Sequence, residues 1–227
     1  KKTLVYPAYD GVIDWMGASI DPHNLLLIAN TNDIPFMVTL IPRETAAKKG
    51  WVKPWTDRSQ APPKTAGGLA PMYGTPYVGK VEPWMNPWWI PCNPPPWGQL
   101  VAIDLATRKI VWERPLGTTR DNGPWHIPFN LPMQTGVFNI GGNMITAGGL
   151  IFIGATSDDF IRAFDEHTGK LLWQARLPAG GQATPMTYLA DGRQYVAIAA
   201  GGHGGLGTKP GDDLMVYALP RNAAGAH

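Results

Sequence analysis

Cysteine is nearly absent from this sequence. Cys92 stands alone, so no intrachain disulfide can hold the fold, and the residue reads as a half-buried small hydrophobe. Charge is sparse: Asp, Glu, Lys and Arg make up 16% of the chain and leave a net charge of +2. No run of Lys or Arg is interleaved with aromatics, which excludes the usual footprint of a nucleic-acid surface. Long apolar runs are missing too. Stretches such as Leu25 to Ala29 and Val196 to Ala200 are strand-sized, far short of the ~18 residues of a membrane-spanning helix. The opening residues, Lys1 to Tyr6, have no apolar signal-peptide core and are expected to enter a domain in its middle.

What is abundant points to turns and large flat side chains. The 27 Gly, 23 Pro and 10 Trp interrupt any long helical pattern and favour short strands joined by tight turns. Two segments repeat. Leu100 to Trp112 aligns with Ile161 to Trp173 in the frame Ala-x-Asp-x-x-Thr-x-x-x-x-Trp, carried by Ala102, Asp104, Thr107 and Trp112 and again by Ala163, Asp165, Thr168 and Trp173. The frame predicts a hairpin: one strand ends at Asp, the Asp and Thr side chains bond a tight turn, and a second strand ends in an anchoring Trp. A Trp recurring at the same place is what a β-propeller needs to bury each sheet against its neighbour. The two Trp stand about 60 residues apart, beyond the roughly 40 to 45 of a simple four-stranded blade, so an insertion is expected between them.

Further strand pairs are expected at Leu25 to Ala29 with Phe36 to Ile41, at Met144 to Ile145 with Leu150 to Ile153, and at Tyr195 to Ala200 with Leu214 to Ala218. Between about residues 43 and 96 the pattern fails, and this stretch reads as a Pro- and Trp-rich surface excursion. Its segment Glu82 to Trp97 fits either packing over a neighbouring blade or a place at a membrane interface, where Trp is favoured. An eight-bladed ring needs about 320 residues, more than the 227 here. Either the ring is smaller, or a second polypeptide or an N-terminal part completes it, and the second reading is favoured.

One long match is more specific than the repeat. Leu177-Pro178-Ala179-Gly180-Gly181-Gln182-Ala183-Thr184-Pro185-Met186-Thr187-Tyr188, followed by Gly192 to Val196 and Ala200-Gly201-Gly202-His203-Gly204, resembles the membrane-bound dehydrogenases dependent on pyrroloquinoline quinone (PQQ), in their glucose and quinate/shikimate branch. Trp15 to Pro22, Leu40 to Arg43, Pro91-Cys92 with Pro95, Trp97 and Gly98, and the ending Tyr217 to Pro220 carry the same resemblance. It implies the C-terminal blades of an eight-bladed all-β propeller over residues 1–227, with PQQ near the axis beside calcium or magnesium. It also implies hydride transfer from a substrate hydroxyl to the quinone, electrons passed to ubiquinone, and a periplasmic site attached to the inner membrane through parts outside this chain.

Three positions match cofactor-side residues of that family. Asn30 resembles an Asn near the quinone carbonyls, and a strand-end Asn bonding its own turn is the plain alternative. His203 resembles a residue beside the ring plane, where flanking glycines let backbone approach a flat ligand; an ordinary loop His is the alternative. Asp158 matches a carboxylate close to the site and also suits a simple turn. Phe138 falls where relatives place a residue against cofactor or substrate, with core packing as the other reading. The resemblance places the family's catalytic base, its metal ligands and the basic residues that hold the PQQ carboxylates on earlier blades, with no counterpart here, and Asp14, Asp21, Asp104 and Asp165 have turn roles. Gly117 to Pro124, with Ile127-Pro128, Leu131-Pro132 and Gly141-Gly142-Asn143, resembles the quinate/shikimate members more than the glucose members. A non-catalytic scaffold built from the same Trp-anchored blades is the competing function, since the fold alone does not decide.

Overall fold

The computed structural model describes residues 1–9, 11–52, 68–121, 127–128 and 130–220. The chain divides into two compact units: Lys1–Tyr9 with Ile34–Asn93, and Asp10–Asp33 with Pro94–His227.

The first unit holds β1 (Lys2–Val5), and the second opens with β2 (Ser19–Asp21) and β3 (Leu26–Asn32). The chain then returns to the first unit for β4 (Phe36–Pro42), the helix α1 (Arg43–Lys48), β5 (Leu69–Ala70) and β6 (Tyr77–Pro83). The second unit resumes with β7 (Gly98–Asp104), β8 (Lys109–Pro115), β9 (Asn143–Ile145), β10 (Leu150–Ile153), β11 (Phe160–Asp165) and β12 (Leu171–Arg176). It ends with β13 (Met186–Ala190), β14 (Arg193–Ala200) and β15 (Asp213–Tyr217).

In the first unit the strands form one antiparallel sheet ordered β1-β4-β6-β5. A small core of Ala46, Val52 and Val78 closes α1 onto it. Arg43 is buried beside that core, and its guanidinium donates to the carbonyls of Pro71, Met72, Thr75 and Tyr77. Among the described residues its acceptors are these four carbonyls. Two expectations change here. Within the stretch read as a patternless excursion, Tyr77–Pro83 is the strand that pairs with all of β4, and Arg43–Lys48 is helical. The second change is at Phe36 to Ile41, which pairs with β1 and β6 and not with Leu25 to Ala29. The Trp-rich loop forms a tight turn with a bridge between Met85 and Pro91, in which Asn86 Oδ1 accepts from the backbone of Trp88 and Ile90. Trp84, Trp88 and Trp89 are 44%, 54% and 51% exposed in this chain, and Cys92 is exposed instead of half-buried.

The second unit contains two four-stranded antiparallel sheets, β2-β3-β7-β8 and β9-β10-β11-β12, and a three-stranded sheet, β13-β14-β15. β3 and β7 pair over their whole length although the chain leaves after Asp33 and returns at Pro94. Leu26, Ile28, Leu100, Ala102 and Trp112 from the first sheet join Ile151, Ile153, Ala155 and Phe164 from the second in one core. Ile161, Leu177 and Ala179 join Val196, Ile198 and Ala200 in the next. Each sheet is thus buried face to face on its neighbour, which is the packing rule of propeller blades.

The repeated frame does what its residues predict. Asp104 Oδ1 accepts from the backbone N–H groups of Ala106 and Thr107, and Asp165 Oδ1 from those of His167 and Thr168. Trp112 is 6% exposed, and its Nε1 donates to the carbonyl of Glu166 on the neighbouring sheet at 2.8 Å. Its indole lies over Gly169, where a Cβ would stand 2.6 Å from the ring and where φ is +66°. Glycine is needed there both for space and for the left-handed backbone. The equivalent Trp173 meets Tyr217 edge-on at 5.0 Å between ring centroids. The other hairpins expected, β9 with β10 and β14 with β15, form in the structure.

Candidate active-site end of the second unit

Antiparallel pairing gathers the chain ends that carry chemistry. The last residues of β3, β8, β10, β12 and β14 and the first residues of β7, β9, β11 and β15 share one end of their sheets. The loops leaving that end are rich in glycine, and close packing requires it. A Cβ on Gly98 would stand 2.0 Å from the carbonyl oxygen of Val137, and one on Gly141 2.6 Å from that of Gln182.

Four buried asparagines tie the first two sheets together there. Asn30, 2% exposed, donates through Nδ2 to Asn139 Oδ1 at 2.7 Å and to the carbonyl of Gly141 at 3.0 Å, and accepts from Asn143 Nδ2 at 3.2 Å. Asn32 donates to the Asn139 carbonyl and accepts from the Asn139 backbone. The sequence singles out Asn30 and Gly141-Gly142-Asn143 through the family resemblance, and it carries no local signal for Asn32, for Asn139 or for the network they form.

Asp158 is fully buried and bound on every side. Its carboxylate accepts from Thr118 N and Thr118 Oγ1, both at 2.8 Å, from Thr156 Oγ1 at 2.6 Å and from Arg162 Nη1 at 3.0 Å, with a second bond from Arg162 Nη2. Burial by itself raises its pKa. The charge of Arg162, with the hydrogen bonds from Arg162, Thr156 and Thr118, outweighs burial and holds the carboxyl below its ordinary value. The neighbouring Asp159 goes the other way, pushed up by burial with Arg176 only partly offsetting it.

His203 is exposed. Its backbone N–H donates to Thr208 Oγ1 at 2.8 Å, that hydroxyl donates to Gln182 Oε1, and Gln182 Nε2 donates to the Thr156 carbonyl. Thr156 bridges to Asn139 through backbone pairing. A continuous polar path therefore connects Asn30, Asn139, Thr156 with Asp158, Gln182, Thr208 and His203 across three sheets. The glycine loop is closed beneath and open above: a Cβ on Gly202 would stand 2.3 Å from the Lys209 carbonyl, whereas one on Gly204 would meet nothing within 4 Å. Phe138 is half-buried on the loop before β9.

The sequence model for the β-propeller domain of PQQ-dependent glucose, ethanol and alcohol dehydrogenases matches residues 1–196. The chain belongs to that quinoprotein family. It is 49% identical over 97% of its length to the glycerol dehydrogenase large subunit of Gluconobacter thailandicus, covering 30% of that protein. Against quinoprotein glucose dehydrogenase A of Acinetobacter calcoaceticus the identity is 45%, over 97% of this chain and 26% of the relative. Against quinate/shikimate dehydrogenase (quinone) of Acinetobacter baylyi it is 38%, over 96% and 27%. The solved quinohemoprotein alcohol dehydrogenase ADHIIG of Pseudomonas putida shares the fold at a TM-score of 0.60 and 25% identity, covering 96% of this chain and 28% of that one. The quinoprotein chain thus spans under a third of the length of these relatives.

Burial separates the candidate residues by what they can touch. Asn30 and Asp158 present no free face, and both amide hydrogens of Asn30 are already donated. His203 and the open backbone at Gly204 present one. Among the described residues no three His, Cys, Asp or Glu are grouped to hold a metal ion, and no helix is long and apolar enough to cross a membrane.

Proposed function

We propose that this chain is the C-terminal portion of a PQQ-dependent dehydrogenase propeller, with the excursion at about 43–96 within it, and that it supplies one wall of the active site. One observation carries the reading: His203 stands exposed on a glycine floor that is locked through Thr208, Gln182 and Thr156 to the buried asparagine network. A planar ligand fits that wall, because the backbone at Gly204 leaves room for close approach.

When bound, PQQ supplies the two-electron acceptor that takes hydride from a substrate hydroxyl. This chain positions. His203 would lie against the bound cofactor, while Asn30 fixes the segment Asn139 to Asn143 and Asp158 fixes the loop at Thr118, so that Phe138 on the connecting segment would meet the substrate. A general base and the calcium or magnesium ligands come from the remainder of the polypeptide. The substrate is a polyol-like alcohol, with a cyclic hydroxy acid such as quinate or shikimate favoured by the sequence resemblance of Gly117 to Pro124, Ile127-Pro128, Leu131-Pro132 and Gly141-Gly142-Asn143, and glucose or another sugar next. Ubiquinone is the acceptor, at a periplasmic site held to the inner membrane by other parts of the protein.

The test uses the intact protein with the missing blades, freed of cofactor and titrated with PQQ in the presence of calcium. Saturable binding that weakens about tenfold or more in His203→Ala, with an unchanged far-UV spectrum, supports the reading. A folded protein indifferent to PQQ points instead to a scaffold that binds another protein.

A further inference from the structure

Three guanidinium groups surround one ring at the active-site end. Phe160, the first residue of β11, is half-buried. Arg162, Arg176 and Arg120 place their guanidinium carbons 5.2, 5.1 and 5.9 Å from its centroid. Two of the three charges are neutralised. Arg162 is paired with Asp158, and Arg176 grips Asp121 through two bonds of 2.5 and 2.6 Å, with Asp159 a further 3.9 Å away. Arg120 is exposed and has no carboxylate partner among the described residues.

Its backbone is nonetheless held firmly. The Arg120 carbonyl accepts from Asn130 N at 2.8 Å, and its N–H reaches Thr118 Oγ1 at 3.5 Å. That hydroxyl is itself anchored on buried Asp158. The loop thus spends a buried carboxylate and a paired turn on presenting one unpaired cation at the end where His203 is exposed. An aromatic face already shared with two other guanidiniums gives Arg120 no strong reason to fold back. Its planar fork is suited to a carboxylate.

From this geometry we infer that Arg120 is a carboxylate-binding residue of the site. This rests on the dehydrogenase reading above and narrows it: the ligand that meets this wall bears a carboxylate, contributed either by a hydroxy-acid substrate or by the quinone cofactor. Neutral polyols would bind without using it. Arg120 takes no part in the reaction; it selects and orients.

The experiment is Arg120→Gln in the intact holoenzyme, with quinate and glycerol as substrates, calorimetric binding of quinate without turnover, and PQQ titration of the cofactor-free protein. A KM for quinate raised about tenfold, the loss of one charge-assisted hydrogen bond, with glycerol and PQQ affinity unchanged, assigns the carboxylate to the substrate. A PQQ dissociation constant raised by a similar factor with both KM values unchanged assigns it to the cofactor. Arg120→Lys should recover part of either effect. Equal losses for quinate and glycerol, or no change in quinate binding and PQQ binding, overturn the inference. If the folded wild type binds neither PQQ nor quinate, the dehydrogenase reading falls with it; a wild type that binds PQQ while Arg120→Gln matches it in every readout overturns Arg120 alone.

Discussion

Removing the carboxylate of Asp158 should be among the most damaging single changes in the second unit. Asp158→Ala deletes the acceptor of five hydrogen bonds, from Thr118 N, Thr118 Oγ1, Thr156 Oγ1 and two Arg162 nitrogens. It strands Arg162, which is 3% exposed. Breaking a buried ion pair from one side costs about 3–5 kcal/mol, because the surviving charge has lost both water and its partner. Arg162 Nη1 keeps Thr156 Oγ1 at 2.9 Å, which places the expected loss toward the lower end. Urea denaturation of the intact polypeptide measures it. The double variant Asp158→Ala with Arg162→Met should recover much of the loss, since no charge is then left buried. Acid sharpens the test. The folded-state pKa of Asp158 is depressed below its ordinary 3.8, so its contribution is present above that pH and lost as pH falls through the folded value. Asp158→Asn should flatten that part of the acid limb. A loss under about 1 kcal/mol for Asp158→Ala, or a double variant no more stable than the single, would refute the argument that this pair holds the loop.

Trp112→Phe leaves the buried Glu166 carbonyl without its indole donor and should cost about 1–3 kcal/mol in the same assay. Asn30→Ala removes the donor to Asn139 Oδ1 and to the Gly141 carbonyl. Both acceptors lie in buried hydrogen bonds, so stability should drop by about 1–3 kcal/mol in the same assay. Glu166 is 3% exposed with Oε2 lacking a partner, and burial followed by the nearby Asp21 pushes its pKa above the ordinary 4.5. A raised carboxyl pKa means the folded state holds the proton more tightly, so this contribution is full below 4.5 and fades as pH rises through the folded value. Thermal melts of Glu166→Gln should lose that decline, and an unchanged pH profile would remove Glu166 from it.

Much of the fold is legible because it is local. Asp104, Thr107 and Asp165, Thr168 make turns whose hydrogen bonds span two or three residues, so spacing alone predicts them. Gly169 and Arg108 occupy the same place in the two hairpins, with φ of +66° and +59°. One repeat uses the residue that tolerates this conformation and the other bears its strain. The partner of β3 was not legible. Phe36 to Ile41 is as apolar and as β-prone as β7 and lies nearer in sequence, yet β3 pairs with β7 beyond the intervening Ile34–Asn93. A hydrophobic pattern states that a strand has a face to bury and does not state against which neighbour.

The site divides along the same line. His203 between glycines can be read from sequence, since its exposure follows from a turn too small to cover it. The burial of Asn30 and Asp158 cannot, because their partners Asn139, Thr118 and Arg162 are chosen by how sheets stack. Composition and the Asp–Thr–Trp repeat determined by themselves that this chain builds Trp-anchored antiparallel sheets. The tertiary structure alone decided which sheet covers which and which polar groups are sealed from water. It also decided that Arg120 has no carboxylate partner among the described residues while its two neighbours on Phe160 are satisfied, since that depends on distances between segments remote in sequence.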